Sequence, residues 1–543
     1  MSGIANLVVA PIVLPLLAGA GMLLLNGERH RNIVAAVNVA TTVALVCVAV
    51  ILLGMSDSGH PEIREVYRLG DWPAPFGIVL VLDRLSALML LLTSILALAS
   101  LVFSLARWHR TGAHFHPLFQ FLLMGLNGAF LTGDLFNLFV FFELLLAASY
   151  GLLLHGSGLA RVKAGLHYIV VNLVASLLFL IGVSLIYGVT GTLNMADLSA
   201  RIPAIAAESR GLLEAGVGML AVAFLLKAGM WPLCFWLPTA YAAASPPVAS
   251  IFAIMTKVGV YIILRLSLLL FGEGSGASAG FGSDWLLWGG VATIAFGAIG
   301  TLASQDTARL GGFSVLVSSG TVLAATGTGQ VSVTGGALFY LVSSTLGISA
   351  FFLLAELIER GREPGADVIA VTREAYGEDD GADDTEEEVG MAIVGTMGLL
   401  GVAFIGCALV IAGLPPLSGF IAKFALLTAA LQPSDMHPGG AVPGSGWALL
   451  LALLISSFAA LVALTRAGIR SFWASPDRTV PRVRLIEMAP IMFLLIICAT
   501  QTVLAGPVMR FMQATAQSLH APAGYVSDVL EIRVQGSRKA GGE

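Results

Sequence analysis

The sequence KAGMWPL at residues 227–233 reappears, with changes, as IAGLPPL at residues 411–417. Four residues of the two segments match in register: alanine, glycine, the last proline and leucine. Each segment lies inside an apolar stretch that is too long for one membrane crossing. Proline removes a backbone donor and clashes with the preceding turn, so both stretches are predicted to be broken helices. Paired spans interrupted by glycine and proline are typical of transporters built from repeats. The predicted breaks lie at Gly229, Pro232, Gly413, Pro415 and Pro416.

The composition outside these segments is also that of a polytopic membrane protein. Of the 543 residues, 57% are hydrophobic and 11% are charged, whereas soluble domains carry about 25% charged residues. Since roughly 20 apolar residues cross a bilayer, we predict an all-α membrane protein with about fourteen transmembrane helices. No basic stripe with interleaved aromatic residues is present, which argues against nucleic acid as a partner. The four cysteines are scattered singly, and we expect no metal, no cofactor and no catalytic nucleophile.

The fourteen predicted spans follow the apolar runs. They are residues 4–26, 33–54, 80–106, 116–133, 135–155, 163–189, 213–242, 247–272, 284–303, 309–329, 334–359, 391–431, 446–469 and 487–512. The chain is therefore divided into N-terminal helices 1–3 (1–115), a first repeat of helices 4–8 (116–272), a second repeat of helices 9–13 (273–471), and helix 14 with a polar tail (472–543).

The loops predict an orientation. Lysine and arginine are about three times as frequent in one alternating set of loops as in the other. By the positive-inside rule this bias puts both termini outside the cytoplasm. The loop at 360–389 carries a block of acidic residues, which is most simply a solvated linker, with a funnel for cations as the alternative.

Four ionisable residues lie deep within predicted spans: Glu143, Lys227, Lys257 and Lys423. Charges in a membrane are costly, so each is a functional candidate. A desolvated lysine can exchange a proton near neutral pH, which arginine cannot, and a Glu–Lys pair would act as a switch. The alternative is a static ion pair, or lysines that extend to the membrane surface. Glu356, one turn before Arg360, is interpreted as an i,i+4 pair or as part of an ion pathway. Arg265 is expected to extend to the interface, and the adjacent Asp83 and Arg84 to anchor there.

Several motifs resemble a known family. DLFNLFVFFE at 134–143 and YGVTGTLN at 187–194 are similar to the antiporter-like subunits shared by respiratory complex I and the Mrp cation/proton antiporters. WPLCFWLPTAY at 231–241, TKVGVY at 256–261 and GLPPLSGFIAK at 413–423 are closest to the D-type Mrp subunits.

This resemblance implies two inverted five-helix repeats, with helices 7 and 12 broken and a proton path in each half. It implies that Glu143 and its partner Lys227, the relay lysine Lys257 and the terminal lysine Lys423 carry protons. The implied partners are the A, B, C, E, F and G types of Mrp subunit, membrane lipid, protons and Na⁺ or K⁺, in a bacterial inner membrane. Relatives often carry histidine where this chain has Ser318 and Ser344. These serines, with Glu356 and His167, are expected to form a secondary pathway that relies on water and hydroxyl groups.

Two other functions remain open at this point. One is a proton-pumping subunit of a complex I-like oxidoreductase, and the other is a non-conducting scaffold that supports an ion path in a neighbour. A secondary transporter subunit, rather than an enzyme, is the leading hypothesis, because a scaffold seldom needs so many buried charges.

Overall fold

The structure is a computed structural model, which describes residues 6–25, 30–57, 65–72, 74, 76–112, 114–156, 158–360, 395–432, 442–472 and 483–530. Within these ranges, 13 helices are long and apolar enough to cross a membrane, and the 17-residue helix Phe115–Leu131 is a shorter apolar one. Together they match the predicted spans one for one. The prediction of an all-α polytopic fold is confirmed.

We number the helices α1 to α16, divide the two interrupted ones into halves a and b, and leave the short helix Met195–Arg201 after α6 unnumbered. They are α1 (Ala10–Leu24), α2 (Arg31–Ser56), α3 (Arg84–Ser104), α4 (Phe115–Leu131), α5 (Leu135–Leu153), α6 (Leu159–Thr190), α7a (Ala207–Ala228), α7b (Leu237–Ala243), α8 (Pro246–Phe271), α9 (Ser283–Ala303), α10 (Thr307–Gly327), α11 (Val331–Glu359), α12a (Gly395–Ala412), α12b (Ser418–Ala430), α13 (Gly444–Phe472), α14 (Leu485–Val503), α15 (Ala505–His520) and α16 (Ala523–Leu530).

The two repeated motifs both break their helices, as predicted. Helix α7a ends at Gly229 (φ 72°) and α12a ends at Gly413 (φ 75°). This left-handed backbone conformation is open to glycine at little cost and ends a helix by turning the chain away from its axis. The prolines that follow prevent each helix from resuming at once.

The start of the third span differs from its prediction. Residues Val79–Leu82 form strand β2, which pairs with β1 (Glu65–Arg68) in an antiparallel hairpin. The helix begins only at Arg84, because the Asp83 carboxylate caps it by accepting a hydrogen bond of 2.8 Å from the Ser86 amide. Four apolar residues in succession fit a buried strand as well as a helix.

The fourteenth span also ends earlier than predicted. Helix α14 stops at Val503, and α15 is a separate amphipathic helix that buries Met512, Ala516 and Leu519. It lies against α11, where Gln513 donates a hydrogen bond to the Ser332 carbonyl at 3.3 Å. The predicted end of the last span at residue 512 was therefore wrong, and the segment that follows Val503 is a separate amphipathic helix. Most of the acidic segment at 360–389, and residues 531–543, lie outside the described residues.

Helices α8 and α11 form the centre of the bundle. The apolar core segment of each is fully surrounded by other parts of the chain, whereas α2 is mostly exposed. A charged side chain within these core segments therefore has no surface of the protein to reach. Lys257, near the middle of α8, has to be satisfied by groups within the protein.

Helices α9 and α10 pack at close range through glycine. A Cβ atom added at Gly290 would lie 2.5 Å from the backbone nitrogen of Ala324, whereas one added at Gly218 on α7a meets nothing within 4 Å. Small residues allow helix backbones to approach closely in membranes.

We predict that Gly290→Ala lowers the thermal unfolding temperature of the purified protein, at a cost of about 1–3 kcal/mol from overpacking. The matched Gly218→Ala variant should leave that temperature unchanged or raise it slightly, since alanine favours the helix. Equal melting curves for the two variants would contradict this close packing of α9 on α10.

Candidate proton-transfer site

Lys227 lies in the last turn of α7a and is fully buried. Its Nζ donates hydrogen bonds to Asn172 Oδ1 at 3.1 Å and to the Tyr168 hydroxyl at 3.4 Å. The ammonium also lies 5.5 Å from the ring centroid of Phe142 and 5.4 Å from that of Tyr168. Neutral oxygens and two aromatic faces thus surround this charge. Cation–π contacts of this type are favourable when the cation is desolvated.

Glu143 on α5 does not touch Lys227. Its half-buried carboxylate accepts a hydrogen bond from the Ser176 hydroxyl, and Glu143 and Lys227 form no ion pair with each other. Helix α6 lies between them, since Ser176 contacts the glutamate and Asn172, one turn earlier, contacts the lysine. The direct Glu–Lys contact expected from the sequence is absent, and the two residues instead contact side chains one turn apart on α6.

This bridge could have been found from the sequence. Tyr168, Asn172 and Ser176 recur every fourth residue in the otherwise apolar run 168–183, which places them on one face of α6. Tyr168 further exchanges a hydrogen bond of 2.8 Å with Ser149 on α5. The face is a continuous polar stripe between α5 and α7a.

Lys257 on α8 is held by two adjacent serines of α10. Its Nζ donates to Ser318 Oγ at 2.7 Å and to Ser319 Oγ at 3.3 Å, both on α10. Ser318 also exchanges a hydrogen bond of 2.7 Å with Ser344 on α11. The predicted residues Ser318 and Ser344 therefore form one connected group with Lys257.

Lys423, one turn and a half into α12b, reaches back to the break in its own helix. Its Nζ donates to the carbonyl oxygens of Ile411 at 3.2 Å and Ala412 at 2.9 Å, and to Ser457 Oγ at 2.8 Å. The last carbonyls of a helix have no partner within it, so this lysine caps α12a. In the first repeat Trp236 has that task, and its Nε1 donates to the Leu226 carbonyl at 3.2 Å.

A cavity of about 20 Å³ separates the serine group from Lys423. Its lining includes Ser344, Tyr340, Lys423 and Ser456. A space of this size accommodates a single water molecule with polar partners on several sides. Ser344 and Lys423 thus line the same small cavity.

Two other predicted pathway residues lie elsewhere. Glu356 is 12 residues beyond Ser344 on α11, about 18 Å along the helix axis, and its carboxylate accepts a hydrogen bond from Arg360 at 2.7 Å. The predicted i,i+4 pair is present, and Arg360 also bonds to Glu487 at 2.7 Å. His167 is exposed on the opposite face of α6 from the polar stripe, next to the ring of Phe235.

A buried ion pair at the hairpin end of the bundle was missed from the sequence. Arg265, 4% exposed, donates to both carboxylate oxygens of Asp83 at 2.9 and 2.8 Å. The expectation that Arg265 extends to the membrane surface was therefore wrong. Its partner is 182 residues away in the chain, and nothing in the local sequence of either residue indicates the contact.

The chain is similar to known proteins over almost its whole length. Residues 132–437 match the family model described as NADH:quinone oxidoreductase/Mrp antiporter, TM. The chain is 59% identical over 535 residues to the D subunit of a probable K⁺/H⁺ antiporter from Rhizobium meliloti (strain 1021), covering 98% of this chain and 99% of that protein. It is 32% identical over 536 residues to the D subunit of the Na⁺/H⁺ antiporter of Alkalihalophilus pseudofirmus, covering 97% and 99%.

Among solved structures, a chain of the Mrp complex from Dietzia sp. DQ12-45-1b superimposes with a TM-score of 0.80 at 27% identity, covering 98% of this chain and all of that one. Helices α5 to α12b, with both breaks and all three buried lysines, fall within the residues matched by the family model. The chain belongs to the family of transmembrane subunits shared by NADH:quinone oxidoreductases and Mrp antiporters.

Proposed function

We propose that this chain is the proton-translocating subunit of a multisubunit cation/proton antiporter, assembled with other Mrp-type subunits in a bacterial inner membrane. The observation that carries the proposal is the setting of three buried lysines. Within the described part of the chain, Lys227, Lys257 and Lys423 contact hydroxyl, amide and carbonyl oxygens and none forms an ion pair with a carboxylate. Such a lysine can release and regain a proton without leaving an unpaired carboxylate behind.

In the second repeat the proton path runs from Lys257 through Ser318 and Ser344 to Lys423. A hydroxyl group donates one hydrogen bond while accepting others, so it can pass a proton without being titrated itself. No hydrogen bond joins Ser344 to Lys423 among the described residues, and water in the cavity that both residues line would complete this path. In this proposal, serine hydroxyl groups and water carry the proton between the two lysines, a step for which relatives of the resembling family often have histidine.

In the first repeat the polar face of α6 links the glutamate to the lysine. A proton that arrives at Glu143 meets the Ser176 hydroxyl, and Lys227 is reached through Asn172 or Tyr168. Because Glu143 is half-buried and Lys227 fully buried, the glutamate is the more accessible of the two. We therefore assign to Glu143 the uptake of the proton that enters the first repeat.

The orientation and the cation belong to the same proposal. The excess of lysine and arginine in alternate loops supports termini outside the cytoplasm. The relative at 59% identity is named for K⁺, and that at 32% for Na⁺, which supports K⁺ as the exchanged cation. The division at residues 115, 272 and 471 is kept as a proposal for the repeat boundaries.

We expect Lys227→Ala to abolish the collapse of a pH gradient on addition of K⁺ to everted vesicles that carry the whole complex. The substitution removes the buried ammonium, which is the group at this position that can release and regain a proton. Lys163→Ala, which changes an exposed lysine at the start of α6, is the matched control and should retain activity.

The complex must be shown to assemble in both variants. Wild-type transport in an assembled Lys227→Ala complex would refute the proposal and favour a scaffold. Acidification of the vesicles on NADH oxidation, without a response to K⁺ or Na⁺, would favour a subunit of a complex I-like enzyme.

We expect Ser344→Ala to slow cation-driven proton movement about tenfold, because one lost hydrogen bond in the path raises the barrier by about 1.4 kcal/mol. The neighbouring Ser343 bonds to Ser418 at 2.7 Å and makes no contact with Lys257 or Ser318. Ser343→Ala therefore deletes a hydroxyl from the same turn of α11 and should transport at nearly the wild-type rate. Equal rates for the two variants would exclude a path through Ser344.

A further inference from the structure

The buried Asp83–Arg265 pair lies on the same helix face as the relay lysine. Lys257, Tyr261 and Arg265 follow each other at four-residue spacing along α8. Arg265 Nε donates to the Tyr261 hydroxyl at 2.9 Å, and this hydroxyl donates to the Phe130 carbonyl at 2.6 Å. The eight residues from Lys257 to Arg265 correspond to about 12 Å along the helix.

The pair is enclosed by protein on all sides. The side chains of Arg265 and Asp83 are 5% and 8% exposed, respectively. The ring of Tyr525, on the C-terminal helix α16, lies 5.6 Å from the guanidinium carbon and covers the pair from the hairpin end. A charge in such a site is weakly screened by solvent and acts over a longer distance than at the surface.

Few other charges of the described residues act on these groups. The titratable side chains that face Arg265 are Asp83 from the start of α3, Tyr261 from α8 itself and Tyr525 from α16. Around Lys257, α10 presents hydroxyl groups, and the charged residue on the adjoining part of α7a is Lys227. While they are paired, Asp83 and Arg265 present no net charge to Lys257, and the loss of either partner would leave one buried charge about 12 Å away along the helix.

We propose that Asp83 and Arg265 form an electrostatic control for Lys257, which sets whether this lysine holds its proton. While the two are paired, their charges cancel and Lys257 remains protonated. When they separate, the permanent positive charge of Arg265 acts on Lys257 and drives its proton toward Ser318. This inference rests on the proposed function, since it requires that Lys257 exchanges protons.

The two halves of the pair can be neutralised separately. Asn at position 83 keeps the cap of α3 while removing the charge, so Asp83→Asn leaves Arg265 uncompensated. A unit charge about 12 Å away, at an effective dielectric constant of about 20, shifts a protonation midpoint by about one pH unit. We expect the pH at which antiport falls to half on the alkaline side to move down by about one unit, because Lys257 then loses its proton at lower pH.

Arg265→Gln should move the same midpoint up by about one unit, since the Asp83 carboxylate then favours the protonated lysine. The double variant Asp83→Asn/Arg265→Gln should restore the wild-type midpoint, and a neutral replacement of both partners is commonly tolerated in a protein interior. Asp197→Asn is the matched control. It neutralises a carboxylate that is paired with Arg201 at 2.9 Å. The Arg201 side chain is 47% exposed, so this ion pair is screened by solvent.

The measurement is the rate of K⁺-driven pH-gradient collapse in vesicles over a series of pH values, with complex assembly checked for each variant. Opposite shifts of the two single variants, cancelled in the double variant, support the inference. A purely structural pair would lower the rate equally at all pH values, and unchanged midpoints or shifts of the same sign would overturn the inference. If Lys227→Ala and Ser344→Ala behave as stated above while the midpoints stay fixed, only this inference fails.

Discussion

The donation of hydrogen bonds from buried ammonium groups to uncharged oxygens is the interaction on which the rest of the structure depends. A lysine inside a membrane has to be paired or solvated, and here the protein itself supplies the solvation. Lys257 takes two hydroxyl groups from α10, and Lys423 takes two carbonyls released by a broken helix. The position of the breaks, the contacts of α8 with α10 and the polar stripe on α6 all serve this requirement.

The two repeats meet the same requirement in different ways. In the first, a tryptophan caps the broken helix, and Lys227 is free to turn toward α6. In the second, Lys423 is itself the cap, so its protonation and the geometry of the break are tied together. One lysine precedes its break and the other follows it, and this difference in sequence accounts for the difference in role.

Much of the fold and part of the site could be predicted from the sequence. The breaks at Gly229 and Gly413 and the buried lysines were evident, because proline, glycine and isolated charges stand out in apolar runs. The β-hairpin strand at Val79–Leu82 could not be distinguished from the start of a helix, since four apolar residues fit both. The Asp83–Arg265 pair could not be found either, because it joins residues 182 positions apart. The polar stripe of α6 could have been read from its spacing and was overlooked.

The cavity of about 20 Å³ next to Lys423 has a further consequence for energy storage. A proton passes one water molecule by an exchange of bonds, and no atom heavier than hydrogen has to travel. A potassium or sodium ion needs a full shell of oxygen atoms at each point of its route, and a single water beside an ammonium group cannot supply one. On the proposed path, this point of the chain would therefore conduct protons but not metal ions, so that proton transfer here would not dissipate the cation gradient.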